Sequence, residues 1–112
     1  MTRQELVRLM VLNSISDDYE NVDQIILPEV SRDGVECGLT IERPEIVEAL
    51  TWLVENGLAK AILTSKGSEI QGMPDVSVVE EDFETYFCIT PTGMDLHMSG
   101  DGPWPQCDEL EP

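Results

Sequence analysis

Residues 44–59 read Pro44-Glu45-Ile46-Val47-Glu48-Ala49-Leu50-Thr51-Trp52-Leu53-Val54-Glu55-Asn56-Gly57-Leu58-Ala59, and this stretch decides the fold. Proline is comfortable in a first helical turn, where its missing N–H has no intrahelical acceptor to lose. Ile46, Val47, Leu50, Leu53 and Val54 follow at helical spacing, which predicts one buried stripe. Gly57 after Asn56 is the left-handed stop expected at a helix C-terminus. At roughly 100° per residue, Glu45, Glu48, Trp52 and Glu55 fall together on the opposite side, which predicts a solvent-facing row of carboxylates around one indole.

Toward the N-terminus, Thr2 with Glu5 three residues on is a capping box, in which each side chain satisfies a backbone N–H of the first turn. Leu6, Leu9, Met10 and Asn13, widened by Val7 and Val11, predict a first helix. Residues 14–18 read as a turn and a new cap. A second helical stretch carries Tyr19, Val22, Ile25 and Ile26 on one side, with Pro28 expected to end or kink it at Leu27. Residues 29–31 add a further turn, and Asp33-Gly34 is the expected stop.

Toward the C-terminus the period changes. Residues 58–63 fit a short strand, 64–81 a loop containing Gly67, Gly72 and Pro74, and 84–90 a second strand with Thr85, Phe87 and Ile89 on one side. The two strands read as a hairpin. Thr90-Pro91-Thr92-Gly93 opens a short last helix, with Leu96 and Met98 as its apolar contacts. Residues 99–112, rich in Gly, Pro and acids, read as a tail that Trp104 ties down.

The phrase from Ile46 to Ala59 resembles the recognition helix and following strand of bacterial winged helix-turn-helix regulators. Tyr86-Phe87-Cys88-Ile89-Thr90-Pro91-Thr92-Gly93 is similar to that family's exit from the wing into the next helix. The spacing between the two phrases implies an enlarged wing. The fold expected is therefore mainly α with a small β-hairpin: a winged helix of three helices, a two-stranded wing and a short C-terminal helix. Residues 1–98 form that domain and 99–112 the acidic, Pro/Gly-rich tail. The resemblance implies a third helix that enters the DNA major groove and a wing along the backbone. The residues it would present are Glu45, Glu48, Thr51, Trp52 and Glu55, and the wing offers Lys66 against Glu69, Asp75, Glu80, Glu81, Asp82 and Glu84. A single Glu could accept from a cytosine amino group. Three of them without a base remove the phosphate contacts that supply affinity.

Composition points the same way. Acids outnumber bases 23 to 6 over 112 residues, a formal charge of −17, while 41% apolar residues suffice for a core of one domain. No apolar run approaches the roughly 18 residues of a membrane span, and no signal peptide opens the chain. Three cysteines, Cys37, Cys88 and Cys107, with no C-x-x-C pair and a single histidine, read as reduced thiols in a cytoplasmic protein rather than a zinc site or disulfide.

Catalytic chemistry finds little support. Asp17-Asp18 and Glu80-Glu81-Asp82 lie in hydrophilic contexts where nothing would separate their pKa values. Residues 29–34 place Gly34 at the sixth position of a calcium loop, but Glu29, Ser31 and Thr40 are the wrong ligands. His97 suits the negative end of the last helix. The expectation is a non-enzymatic protein-interaction or regulatory module, with no cofactor or metal. Its face of Glu45, Glu48, Trp52 and Glu55 would meet a protein partner with a basic surface. DNA and membrane are disfavoured, and a homodimer through the first helix stays open. The alternative is a DNA-binding transcriptional regulator of the winged helix-turn-helix type, using Arg3, Arg8, Arg32 and Arg43.

Overall fold

A computed structural model describes residues 1–63, 67–76 and 85–99, together with Cys107 and Leu110. The chain is a mixed α/β domain in which helices α1 (Arg3–Ser14), α2 (Leu27–Glu36), α3 (Arg43–Glu55) and α4 (Pro91–Met98) pack with strands β1 (Ala59–Leu63), β2 (Ser68–Ile70) and β3 (Thr85–Ile89). The sheet is antiparallel with order β2-β1-β3. Ala59 lies opposite Ile89 and Leu63 opposite Thr85, so β1 and β3 pair along their full length. The two expected strands thus pair, but the two-stranded wing is corrected to a three-stranded sheet, because β2, within the stretch expected as a loop, pairs with the other edge of β1. Ser68-Glu69-Ile70 is too short to carry a period of its own, and its pairing with 61–63 makes it a strand.

The capping box at Thr2 and Glu5 is present, and α1 buries Leu6, Val7, Met10, Val11 and Leu12. Leu12 lies outside the expected stripe, because α1 is covered by α2 and α4 as well as by α3. On α3 the core residues are Ile46, Ala49, Leu50 and Leu53, and Gly57 adopts the left-handed conformation foreseen for it (φ +72°). Together with Ile26, Val30, Ala61, Val76 and Phe87, these residues form one continuous core.

The second helix departs most from expectation. Its first turn, Val22–Ile26, is π-helical and runs directly into α2. Ile26 N–H reaches back five residues to the Asn21 carbonyl, 3.0 Å away. A normal α-turn would press the Pro28 ring against the carbonyl four residues earlier. The wider turn relieves that contact, so the chain runs on from the π-turn into α2 through Pro28, with the helix type changing at Leu27. Gly34 is not the stop either. It lies inside α2, where an added Cβ would come within 2.6 Å of Ile41 Cδ1, so the glycine admits the chain that returns toward α3. Gly38, at φ +73°, supplies the reversal. Tyr19 precedes the helix and is 50% exposed.

Asn21 organises the junction of helix and sheet. Its side-chain oxygen accepts from Asp23 and Gln24 N–H, capping the π-turn, while its Nδ2 donates to the Thr85 carbonyl at 3.1 Å. Beside it, Glu20 and Phe87 exchange both backbone hydrogen bonds, at 2.8 and 2.9 Å, so the segment between α1 and α2 touches the free edge of β3. At the other end of β3, Thr90 accepts from Gly93 N–H and donates to the Gly57 carbonyl at 2.6 Å. Gly93 is buried so closely against Leu58 that any Cβ there would overlap the Leu58 carbonyl oxygen. Met98, expected as an apolar contact of this helix, is 75% exposed.

The reading of all three cysteines as reduced is overturned. Cys37 at the end of α2 is bonded to Cys107, and Cys88 alone is free, buried in β3. Leu110 packs against the margin of the core. Two half-cystines 70 residues apart, in a chain with an odd cysteine, leave no spacing signal from which to foresee the bond. Trp104, Lys66 and the acids Glu80, Glu81, Asp82 and Glu84 lie outside the described residues.

Candidate protein-interaction face

The seam between α1 and α3 is where the sequence-predicted site residues come to lie. The apolar stripes meet along its centre, and the polar residues that flank them are drawn into contact from opposite helices. Arg3 Nε donates to Glu45 Oε1 at 2.8 Å, and one of its terminal nitrogens to the Thr40 carbonyl at 2.6 Å. Glu45 also accepts from Glu42 N–H at 2.9 Å, closing the first turn of α3. The guanidinium of Arg3, followed by that backbone donor, holds the Glu45 carboxyl below the usual carboxylate range.

One turn along, Arg8 donates to Glu48 Oε1 at 2.6 Å, and its guanidinium lies over the Trp52 ring, 4.5 Å from the centroid. A cation stacked on an indole face is attracted by the ring quadrupole. Arg8 Nε is buried without a hydrogen-bond partner, so the stacking geometry takes precedence over a further hydrogen bond. Trp52, expected on a solvent-facing row, is thus covered in part by α1. Of the four residues assigned to the face, Glu45 and Glu48 are half-buried and matched by arginines, Trp52 is half-buried under Arg8, and Glu55 remains exposed.

Trp52 and Arg8, with Glu5, Leu9, Leu53 and Leu96, line a groove of about 260 Å³ between α1, α3 and α4. Its floor is apolar and one rim is the Glu5 carboxylate, held below its ordinary range by the Thr2 backbone N–H and hydroxyl. A second concavity of about 400 Å³ lies along the same seam, between Arg3, Gln4, Val7, Pro44, Glu45 and Glu48. The sequence placed Trp52 and the glutamates but not the arginines and leucines that complete the groove. Arg3 and Glu45 are 42 positions apart, and no local pattern links them.

Elsewhere the charges divide unevenly. Every arginine and lysine among the described residues has a carboxylate within 4.0 Å: Arg3, Arg8, Arg43 and Lys60 with Glu45, Glu48, Asp23 and Glu69, and Arg32 with Asp33. Among those same residues, no group of three or more His, Cys, Asp and Glu is arranged to hold a metal ion, and no helix is long and apolar enough to cross a membrane. Comparison with protein-family models, with curated proteins and with solved structures finds no match.

Proposed function

We propose that this chain is a non-enzymatic, winged-helix-like module that binds a protein partner through the groove at Trp52, and that the partner surface is basic. The observation that carries this reading is that all five described bases already face carboxylates, in a chain of formal charge −17. Among the described residues, what the groove then offers a partner is negative charge and one indole beside Leu9 and Leu96. A phosphate backbone needs unpaired Lys and Arg, and its counterions are released only by them. A basic protein surface needs the opposite.

The order of elements supports the winged-helix part: helix, an edge contact of Glu20 with β3, two helices, then paired strands and a short helix. Within the groove the roles differ. Trp52, Leu9 and Leu96 would receive an apolar side chain, while Glu5 and Glu55 would face basic groups at the rim. Glu45 and Glu48 would act by fixing Arg3 and Arg8, so that Trp52 presents one face only. A half-buried tryptophan surrounded by a polar rim is the composition of an interface hot spot.

The test uses the full chain and two probes. A fluorescent amphipathic helix of Leu and Lys should bind, and its Glu counterpart should not. Trp52→Ala should weaken that binding by about 30-fold, or about 2 kcal/mol. Trp52→Phe, which keeps a ring beneath Arg8, should recover most of it. Mixed-sequence duplex DNA should show no retardation at about 150 mM salt. Tight binding to DNA that falls steeply with salt, or indifference of the Lys helix to Trp52→Ala, would overturn the reading.

A further inference from the structure

The stripe of α3 that carries Glu45, Glu48, Trp52 and Glu55 borders both concavities of the α1–α3 seam. Glu45 and Glu48 wall the one whose apolar residues are Val7 and Pro44. Trp52 walls the groove that holds Leu9 and Leu96. Glu45 and Trp52 are seven positions apart, which is two turns of α3 or about 10 Å along its axis. Glu48 lies between them on the same face. Arg8 donates to its Oε1, no other described group donates to this carboxylate, and the side chain is 39% exposed, so Oε2 is open to a cation. Arg3 and Arg8 line the concavities themselves, which disfavours a cation inside either. The charge pattern along the stripe is therefore an apolar hollow, a carboxylate, a second apolar hollow and the exposed Glu55.

Given binding of a basic protein at the Trp52 groove, on which this inference rests, we propose that the partner segment is a helix lying along α3. It carries two apolar anchors seven residues apart and a Lys or Arg between them. The spacing of the hollows selects a helix. Residues i and i+7 of a helix share one face and lie about 10.5 Å apart. Same-face residues of a strand fall about 6.6 or 13 Å apart, and the i+3 residue at about 10 Å belongs to the opposite face. Apolar anchors at helical spacing are how a helix seats in a groove. The basic residue at i+3 or i+4 then meets Glu48 Oε2, and a second, one turn beyond the anchor at Trp52, meets Glu55. A second copy of this chain is the wrong occupant, because each copy has a formal charge of −17 and its described bases already face carboxylates.

Fluorescence anisotropy, circular dichroism and NMR on the full chain test this with two alanine-based peptides of identical composition. The first carries Leu at i and i+7 with Lys at i+4 and i+11. The second has its later Leu moved to i+5, off the shared face. The first should bind about tenfold tighter and become helical when bound. It should shift the amide signals of Gln4 and Val7 as well as those of Leu9 and Trp52, whereas the second should shift only the latter pair. Glu48→Gln, which keeps an acceptor for Arg8, should weaken the first peptide by about threefold and should not weaken further a version with Ala at i+4. Equal affinity of the two peptides would overturn the helical two-anchor partner, as would binding of the first without helicity or without shifts at Gln4 and Val7. Protein binding at the groove would survive those results as long as Trp52→Ala still weakened both peptides. If neither peptide binds, or both ignore Trp52→Ala, the groove is not the binding site and the helical partner falls with it.

Discussion

The α1–α3 seam and the end of α2 carry acids in similar density and treat them in opposite ways. At the seam, Glu45 and Glu48 each receive a guanidinium from the facing helix, and Glu45 is the more acidic for it. Around α2, Glu20, Glu29, Asp33 and Glu36 lie in a segment whose one arginine is the exposed Arg32, 3.9 Å from Asp33. Burial raises Glu20, and Glu29, Asp18 and Asp17 raise it further. A formal charge of −17 is therefore no uniform property of this molecule. One region uses its acids to hold helices together, and the other stores repulsion.

The sharpest way to break the paired side is at Arg43. Its guanidinium makes two hydrogen bonds to Asp23, at 2.8 and 3.2 Å, and joins the start of α3 to the π-turn. The two side chains are only 17% and 9% exposed, so little water screens the pair. Removing one partner of such a pair leaves the other charge buried without that counter-charge. Arg43→Ala should lower stability in urea melts by about 3 kcal/mol, and adding Asp23→Asn should recover part of the loss. A loss below about 1 kcal/mol would place this pair with ordinary surface ion pairs.

Within the seam itself, the two arginines separate geometry from charge. Arg3 is nearly half exposed, so Arg3→Ala should cost less than about 1 kcal/mol and lose its effect in high salt. Arg8 is mostly buried and stacks on Trp52 as well as pairing with Glu48. Arg8→Ala should cost about 2 kcal/mol, and Arg8→Lys should recover little, because an ammonium lacks the planar face that stacks. A double-mutant cycle between Arg8 and Trp52 should return about 1 kcal/mol of coupling. Zero coupling would mean that the two side chains are neighbours without being partners.

This contrast was partly legible in the residues. The apolar stripe of α3, the caps at Thr2 and Thr90, the stop at Gly57 and the pairing of β1 with β3 all rest on patterns contained within one short window. Such windows are what local propensity and periodicity can read. The misreadings share the opposite character. Gly34 looked like a stop because the sequence does not reveal that Ile41 needs its missing Cβ. Pro28 looked like a break because the π-turn that accommodates it depends on the Asn21 cap and its tie to Thr85. The row of Glu45, Glu48, Trp52 and Glu55 was placed on one side of α3, but its environment was not. Whether a helix face meets water or two arginines depends on a helix some 40 positions away.

The smallest effect expected is also the one that reads the unpaired region most directly. Glu20 exchanges backbone hydrogen bonds with Phe87, so Glu20→Gln leaves the bridge intact and removes only the charge. Its Oε2 is buried without a hydrogen-bond partner. A carboxyl held above its ordinary value in the folded chain destabilises folding at neutral pH, and this cost is relieved as pH falls through the raised value toward the unfolded one. Glu45 has the opposite sign: its contribution is present above the unfolded value and disappears as pH falls through the lowered folded one. Acidification from neutrality should therefore stabilise the protein before it destabilises it. In thermal melts across that range, Glu20→Gln should raise Tm at neutral pH by about 2–4 °C and flatten the initial rise, while leaving the later fall unchanged. Because the fall belongs to carboxylates such as Glu45 at the seam, a variant at Glu20 that altered it would show the two regions to be coupled. Parallel curves for wild type and variant would instead assign the initial rise to acids other than Glu20.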